Sequence, residues 1–369
     1  MPKSKKIIQV VGARPNFMKV APLHRAFIKY LEVQSLIVHT GQHSDANMSE
    51  VFLNQLDLPR PDFFLGVSGG SHTQMMAGIM SEFEKVLETE KPDLVIVVGD
   101  VNSTFACGLT ASRMKFPLAH VEAGLRSFDN TMPEEVNRIA VDHVSDFLFT
   151  TEASAKENLL LEQIPESKIY FVGNCMIDSL IRYLPMAAIR QLNLPTAGRQ
   201  SHNSSFVLMT MHRPSNVDTK EGLENILKIC EFVSKKIKIV FPVHPRTRSK
   251  MDSFGLWTKL NAIDNLILTE PLGYLEFLGL MKESTAVLTD SGGIQEETTY
   301  LKIPCLTFRK TTERPVTVEI GSNEMIADFD INQTINHLDH IIKGDWKKSS
   351  IPELWDGHAA DRIAKILVG

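Results

Sequence analysis

Residues 93 to 122 read DLVIVVGDVNSTFACGLTASRMKFPLAHVE and contain one complete architectural unit. The run DLVIVVGD is continuously apolar and β-branched rather than alternating, the pattern of a strand covered on both faces. It stops at Gly99 and Asp100, and Asn102, Ser103 and Thr104 supply cap-type residues for the helix-like stretch NSTFACGLTASRMKF. A second apolar run, FPLAHVE, closes the unit at His120 and Glu122. Strand, helix and strand in that order predict a βαβ crossover and so a parallel sheet.

The same alternation extends to both sides. IIQVVG (7–12), SLIVHTG (35–41), DFLFTT (146–151) and KIYFVGN (168–174) add strands, and TQMMAGIMSEFEKVLETE adds a helix. A run rich in Pro, Gly, Ser and Asn, NLPTAGRQSHNSS (193–205), has the composition of a linker. After it the pattern restarts with FVLMTMH (206–212), KIVFPVHP (238–245), NLILTEPL (265–272), TAVLTDSGG (285–293) and IPCLTFRK (303–310). The expected fold class is therefore α/β: two doubly wound Rossmann-like domains facing a cleft, residues 1–174 and 175–356. A chain of 369 residues suits two domains of that size.

Composition narrows the function. With 43% hydrophobic and 22% charged residues the chain reads as a soluble globular protein, and no apolar run approaches bilayer-spanning length. No membrane partner is expected. The net charge of −5 gives no overall attraction to nucleic acid, so none is expected as a partner. Cys107, Cys175, Cys230 and Cys305 are widely spaced, without a disulfide framework or a zinc pattern, which fits a reducing cytoplasm. MPKSKKIIQVVG turns directly into a strand and reads as no export signal.

In open α/β sheets ligands sit beyond the carboxyl ends of the strands, so the residues there carry the functional reading. After the first strand, GARPNFMK offers Gly12, Arg14 and Lys19, a glycine turn and two cations at a helix start that would suit a phosphate. TGQH offers Gln42 and His43, for a polar ligand or a turn. Asp100, Glu122 and one of Glu134 and Glu135 in MPEEVNR would bring carboxylates together, with Arg138 one turn on. Such carboxylates repel, which raises at least one of their pKa values and equips the group for acid and base work.

In the second series MHRPSN supplies His212, Arg213 and Asn216, and VHPRTR adds His244, Arg246 and Arg248. LTDSGGIQEE then runs from a strand into Ser291, Gly292 and Gly293, with Glu296 and Glu297 expected in the first turn of a helix. Acids there would offset the helix dipole, whereas glycines there would leave N–H groups open to an anion. Ser291, Gly292 and Gly293 would hold a diphosphate, Glu297 a ribose, and Arg314 in TTERP would add charge. No G-x-x-x-x-G-K-[ST] is present and no G-x-G-x-x-G follows the first strand, which disfavours an NTPase and a nicotinamide enzyme. A nucleoside diphosphate sugar is the ligand class these residues suggest.

Taken together and in order, GARPNFMKVAPL, TGQH, VVGDVNSTFACGLTA, HVEAGLRS, MPEEVNR, MHRPSN, EPLGYLEFLGLM, LTDSGGIQEE and TTERP resemble the non-hydrolysing UDP-N-acetylglucosamine 2-epimerases. The resemblance implies the two-domain GT-B fold, with the last helix, in GHAADRIAKILVG (357–369), returning to the N-terminal domain. It implies a homodimer and the interconversion of UDP-GlcNAc and UDP-ManNAc, for surface polysaccharide synthesis, with no cofactor and no metal. UDP would leave by anti elimination to 2-acetamidoglucal and add back after protonation on the other face. Residue by residue, Asp100, Glu122 and Glu134 would be the acid and base carboxylates and His212 the contact to the departing diphosphate. Arg14 and Lys19 would face sugar and phosphates; Ser291, Gly292, Gly293, Glu297 and Arg314 would hold UDP, with Phe277 near uracil or in the core.

The chain departs from many bacterial members, which read GTRPEAIK and HRREN where it has GARPNFMK and HRPSN. Some relatives act on UDP-2,3-diacetamido-2,3-dideoxyglucuronic acid, which is the nearest alternative substrate. A hydrolysing epimerase and a GT-B glycosyltransferase are the other enzymatic alternatives, and a nucleotide-sugar binding protein without turnover is the non-enzymatic one.

Overall fold

A computed structural model describes residues 4–41, 56–187 and 205–369. The chain divides into two units, residues 1–182 with 353–369, and residues 183–352. Where the sequence suggested a boundary at 174/175, this division falls at the end of the helix Cys175–Tyr183. That helix is tied to the first unit by the Ser179 hydroxyl, which donates to the Met18 carbonyl at 2.5 Å.

The first unit holds a seven-stranded sheet in the order β3-β2-β1-β4-β5-β6-β7. These are β1 Lys5–Val11, β2 Val33–His39, β3 Phe63–Phe64, β4 Leu94–Val98, β5 Leu118–Val121, β6 Phe147–Thr150 and β7 Ile169–Phe171. Every pairing is parallel. The reason lies in composition: LVIVV is buried at every position, because helices cover both faces and no polar side is needed. Val10, Val38, Val95 and Val97 pack on one face against Phe83 and Leu87 of the helix His72–Glu90 and Cys107 of the helix Asn102–Arg113. Full burial of side chains of this size contributes about 1.5–3 kcal/mol each.

The second unit repeats the plan with six strands in the order β10-β9-β8-β11-β12-β13. They are β8 Phe206–Thr210, β9 Lys238–Pro242, β10 Leu266–Thr269, β11 Ala286–Thr289, β12 Cys305–Thr307 and β13 Asn323–Met325, again parallel throughout. Val207, Met209, Phe241 and Leu288 form its core with Ile226, Ile229 and Val233 of the helix Lys220–Val233.

The C-terminal helix Ala359–Val368 belongs to the first unit. Buried Trp355 precedes it and donates its indole N–H to the Thr151 carbonyl at 3.0 Å. Asp178 accepts the N–H groups of Ala359 at 3.2 Å and Ala360 at 2.7 Å, closing the orphan donors at the helix start. Burial pushes the Asp178 carboxyl up to about 6 against the pull of those two N–H groups, and nearby Asp356 and Asp361 add to the rise. No helix among the described residues is long and apolar enough to cross a membrane.

Candidate active site

Each sheet reverses its winding once, between β1 and β4 in the first unit and between β8 and β11 in the second. The carboxyl ends of those strands are where a doubly wound sheet leaves room for a ligand. In the first unit Gly12 follows β1 and Asp100 follows β4, while Glu122 follows the adjacent β5.

Glu122 has φ 73°, in the left-handed region that disfavours any residue with a Cβ, and it is 1% exposed. Such a position costs about 1–3 kcal/mol and persists only where the surroundings over-determine it. Those surroundings are two cations. Lys19 pairs with Glu122 Oε2, and Arg138 Nη2 lies 3.4 Å from Glu122 Oε1 while also pairing with Asp100 Oδ2. Asn137 adds a hydrogen bond to the Asp100 carbonyl at 3.0 Å. The sequence reading had carboxylates facing one another and repelling; the structure instead sets a buried guanidinium between Asp100 and Glu122 and an ammonium on Glu122. Their attraction offsets the cost of burying the negative charge.

The pair Glu134 and Glu135, left open by composition, is divided by burial. Glu135 is buried and accepts the N–H groups of Ser127 at 2.8 Å and Phe128 at 2.9 Å, and the Ser127 hydroxyl at 3.0 Å. It holds the loop before the helix Pro133–Val144. Half-exposed Glu134 stands four residues before Arg138, on the same helix face.

Behind these groups runs a buried network. The His120 ring lies 2.7 Å from Asp142 Oδ1 through Nδ1 and 2.8 Å from the Gly99 carbonyl through Nε2. Asp142 also takes the Gly124 N–H at 3.1 Å and the Arg126 guanidinium at 2.8 Å, and Arg126 continues to Glu162 at 2.7 Å. Burial acts to raise the Asp142 carboxyl, but His120 and Arg126 outweigh it and hold it below the ordinary range. The turns after β4 and β5 are thus fastened to each other.

The turn after β1 differs from its sequence reading. The Gly12 and Ala13 N–H groups donate to Asn16 Oδ1 at 3.0 and 2.9 Å, and Asn16 Nδ2 donates to the Val98 carbonyl at 3.0 Å. Gly12 answers a packing need, since a Cβ there would stand 2.0 Å from Ser103 Oγ. The glycine turn is therefore closed by Asn16, and Lys19 is directed to Glu122. Arg14 opens the helix Arg14–Phe27. Gln42 and His43 lie outside the described residues.

In the second unit His212 and Asp290 stand just beyond paired Thr210 and Thr289 of β8 and β11. Asp290 is wholly buried, 3.0 Å from His212 Nδ1, and accepts the N–H groups of His212 at 3.0 Å and Arg213 at 2.9 Å and the Asn216 amide at 3.1 Å. Burial would raise its carboxyl, but the His212 imidazole and the backbone N–H groups of Arg213 and His212 hold it below the ordinary range.

Ser291, Gly292 and Gly293 open the helix Gly292–Leu301. A Cβ on Gly292 would lie 2.8 Å from Arg314 Nη1, so the missing side chain makes room for the Arg314 guanidinium. Glu296 and Glu297 fall beyond the first turn of this helix, correcting the dipole reading, and each has a tertiary partner. Glu296 accepts Arg314 Nε at 2.7 Å, and Glu297 accepts the Tyr274 hydroxyl at 2.9 Å. Arg309 pairs with Glu313 at 3.1 Å. Phe277 is partly buried against the core around Leu208 and Val240.

Sequence reasoning passed over Asn16, Asp142, Asp290 and Arg309 as site residues. Asp290 and Arg309 each follow a strand, the position that had flagged the others, whereas Asn16 and Asp142 sit inside helices and carry no such signal.

The sequence pattern of UDP-N-acetylglucosamine 2-epimerases matches residues 26–368. A UDP-N-acetylglucosamine 2-epimerase of Methanocaldococcus jannaschii is 41% identical over 98% of this chain and 98% of its own. The crystal structure of the M. jannaschii UDP-GlcNAc 2-epimerase in complex with UDP-GlcNAc and UDP superposes with a TM-score of 0.88 at 41% identity, covering 98% of this chain and 99% of that one. A UDP-2,3-diacetamido-2,3-dideoxy-D-glucuronate 2-epimerase of Pseudomonas aeruginosa is 39% identical over 98% of this chain and 99% of its own.

Proposed function

The chain belongs to the UDP-N-acetylglucosamine 2-epimerase family, and from that premise we propose that it interconverts UDP-GlcNAc and UDP-ManNAc without net hydrolysis. The observation that carries the reading is Arg138 spanning Asp100 and Glu122 at two neighbouring strand ends, beside Lys19. Two fixed carboxylates of different exposure, 22% for the Asp100 side chain and 2% for Glu122, suit opposite proton-transfer tasks.

The C2 hydrogen of the sugar is not next to a carbonyl, so direct deprotonation is not open to a side-chain base. In the proposed route UDP leaves from C1 as a base takes the C2 hydrogen, giving 2-acetamidoglucal. A proton then returns to the other face of C2 as UDP adds back. Asp100, Glu122 and Glu134 are proposed to move protons, and Arg14 and Lys19 to serve the sugar end. His212, Arg213, Asn216 and the turn Ser291, Gly292 and Gly293, with Arg314, are proposed to take the diphosphate, Glu297 the ribose and Phe277 the uracil. Removing one preorganised donor to charge that develops in a transition state typically costs about 2.7–4 kcal/mol.

Proton NMR of UDP-GlcNAc with the protein in deuterium oxide tests the whole reading. The expected result is UDP-ManNAc carrying deuterium at C2, with no accumulating free sugar. Free ManNAc and UDP would make the enzyme hydrolytic, and an absence of C2 exchange would overturn the epimerase reading. The P. aeruginosa relative, nearly as similar over the full chain, favours UDP-2,3-diacetamido-2,3-dideoxyglucuronate as the second substrate to assay. We also propose a cytoplasmic homodimer, for which light scattering of the purified chain is the check.

A further inference from the structure

Asp290 receives more donors than a strand-end turn requires, and among the described residues its one ionisable partner is the His212 imidazole, at 3.0 Å. An ionised carboxylate only accepts hydrogen bonds, so the hydrogen in this contact is on His212 Nδ1. That leaves Nε2 as the ring nitrogen for anything outside, and the side chain is 36% exposed while Asp290 is at 0%. The ring is further oriented by His244, whose centroid lies 5.5 Å away and whose Nδ1 accepts the Arg246 N–H at 3.2 Å. Asp290 is also the residue directly before Ser291, Gly292 and Gly293, so one turn both opens the proposed anion cradle and backs the histidine.

We propose that Asp290 is a positioning residue for the diphosphate contact: it fixes His212 with Nδ1–H inward and Nε2 outward, toward the departing diphosphate, and places a negative charge behind the ring. This rests on the reading that His212 meets the diphosphate. A neutral imidazole in this tautomer offers the ligand only a lone pair, which repels a phosphate oxygen. Protonation from solvent turns Nε2 into a donor, and the carboxylate behind the ring balances the added charge. No bond to the ligand forms or breaks at either residue.

A double-mutant cycle with Asp290→Asn and His212→Gln tests it. The amide keeps an acceptor oxygen for the His212 and Arg213 backbone but cannot supply the charge. Asp290→Asn is expected to lower kcat by about 10- to 100-fold, the usual cost of removing a group that orients a first contact, with a smaller change in KM. The double variant is expected to be no slower than His212→Gln alone, whereas losses that multiply would overturn the proposal. If His212→Gln changes neither turnover nor UDP affinity, the diphosphate reading itself fails, which is a separate result. Nitrogen-15 NMR of the histidine rings in the unaltered full chain decides the tautomer even if a variant does not fold. A hydrogen on Nδ1 of His212 is expected, and the Nε2–H neutral tautomer would overturn the assignment.

Discussion

The two units share a strand order and invert its charge plan. In the first, the pair beyond β4 exposes its acid, the Asp100 side chain being 22% exposed over Arg138 at 0%, while Lys19 and Glu122 are both buried. In the second the exposed member is a base: His212 is 36% exposed over Asp290 at 0%. The backbones differ too, since the first unit turns through left-handed Glu122, and neither His212 nor Asp290 has positive φ. A doubly wound sheet thus supplies placement and leaves the chemistry to the first polar residues beyond it.

The largest effect that would break this contrast is on turnover. Asp100→Asn or Glu122→Gln is expected to slow C2–H exchange by about 10²- to 10⁴-fold while UDP affinity by calorimetry changes little. Equal losses in both would remove the division of labour between the units.

Asp178 stands apart through pH, since Asp142 of its own unit and Asp290 of the second are both held below the ordinary range. Asp178 in the first unit is raised from 3.8 to about 6, so it binds a proton in the folded state that the unfolded chain releases. Its contribution to stability is fully present below about 4 and is lost as pH rises to about 6, a change on the order of 3 kcal/mol. Asp290 is lowered, so its contribution is present above the ordinary carboxylate range and is lost as pH falls below it. Chemical denaturation between pH 4 and 7 should show the gap between wild type and Asp178→Asn shrinking or reversing as pH rises. A constant gap would mean that Asp178 titrates normally.

A smaller loss is expected at Gly292. An alanine Cβ would stand 2.8 Å from Arg314 Nη1, forcing the guanidinium aside. UDP affinity should fall by about tenfold, or 1.4 kcal/mol, and binding calorimetry reads it directly. Unchanged affinity would take the cradle out of the comparison.

The smallest expected effect is a gain. Phe128 has φ 58° and is 79% exposed, held there by Glu135. Phe128→Gly relieves the left-handed backbone at the cost of a freer unfolded chain, a net stabilisation of about 0.5–1 kcal/mol. Thermal unfolding tests whether strain is concentrated in the first unit's loops.

Much of this organisation is legible in one dimension. Continuous apolar runs such as LVIVV and VLMT can satisfy the hydrophobic effect only when covered on both faces, which requires parallel strands with helices between them. That same necessity put Asp100, Glu122, His212 and the Ser291 turn at strand ends. What the sequence could not express is which partner each polar group would take. Gly12 looked like an anion turn until its N–H groups met Asn16, and Glu296 and Glu297 looked like dipole partners until Arg314 and Tyr274 came to them. Periodicity is a property of neighbours along the chain, so it fixes secondary structure and layer order. Ion pairing depends on distances between residues tens of positions apart, and only the folded chain decides those.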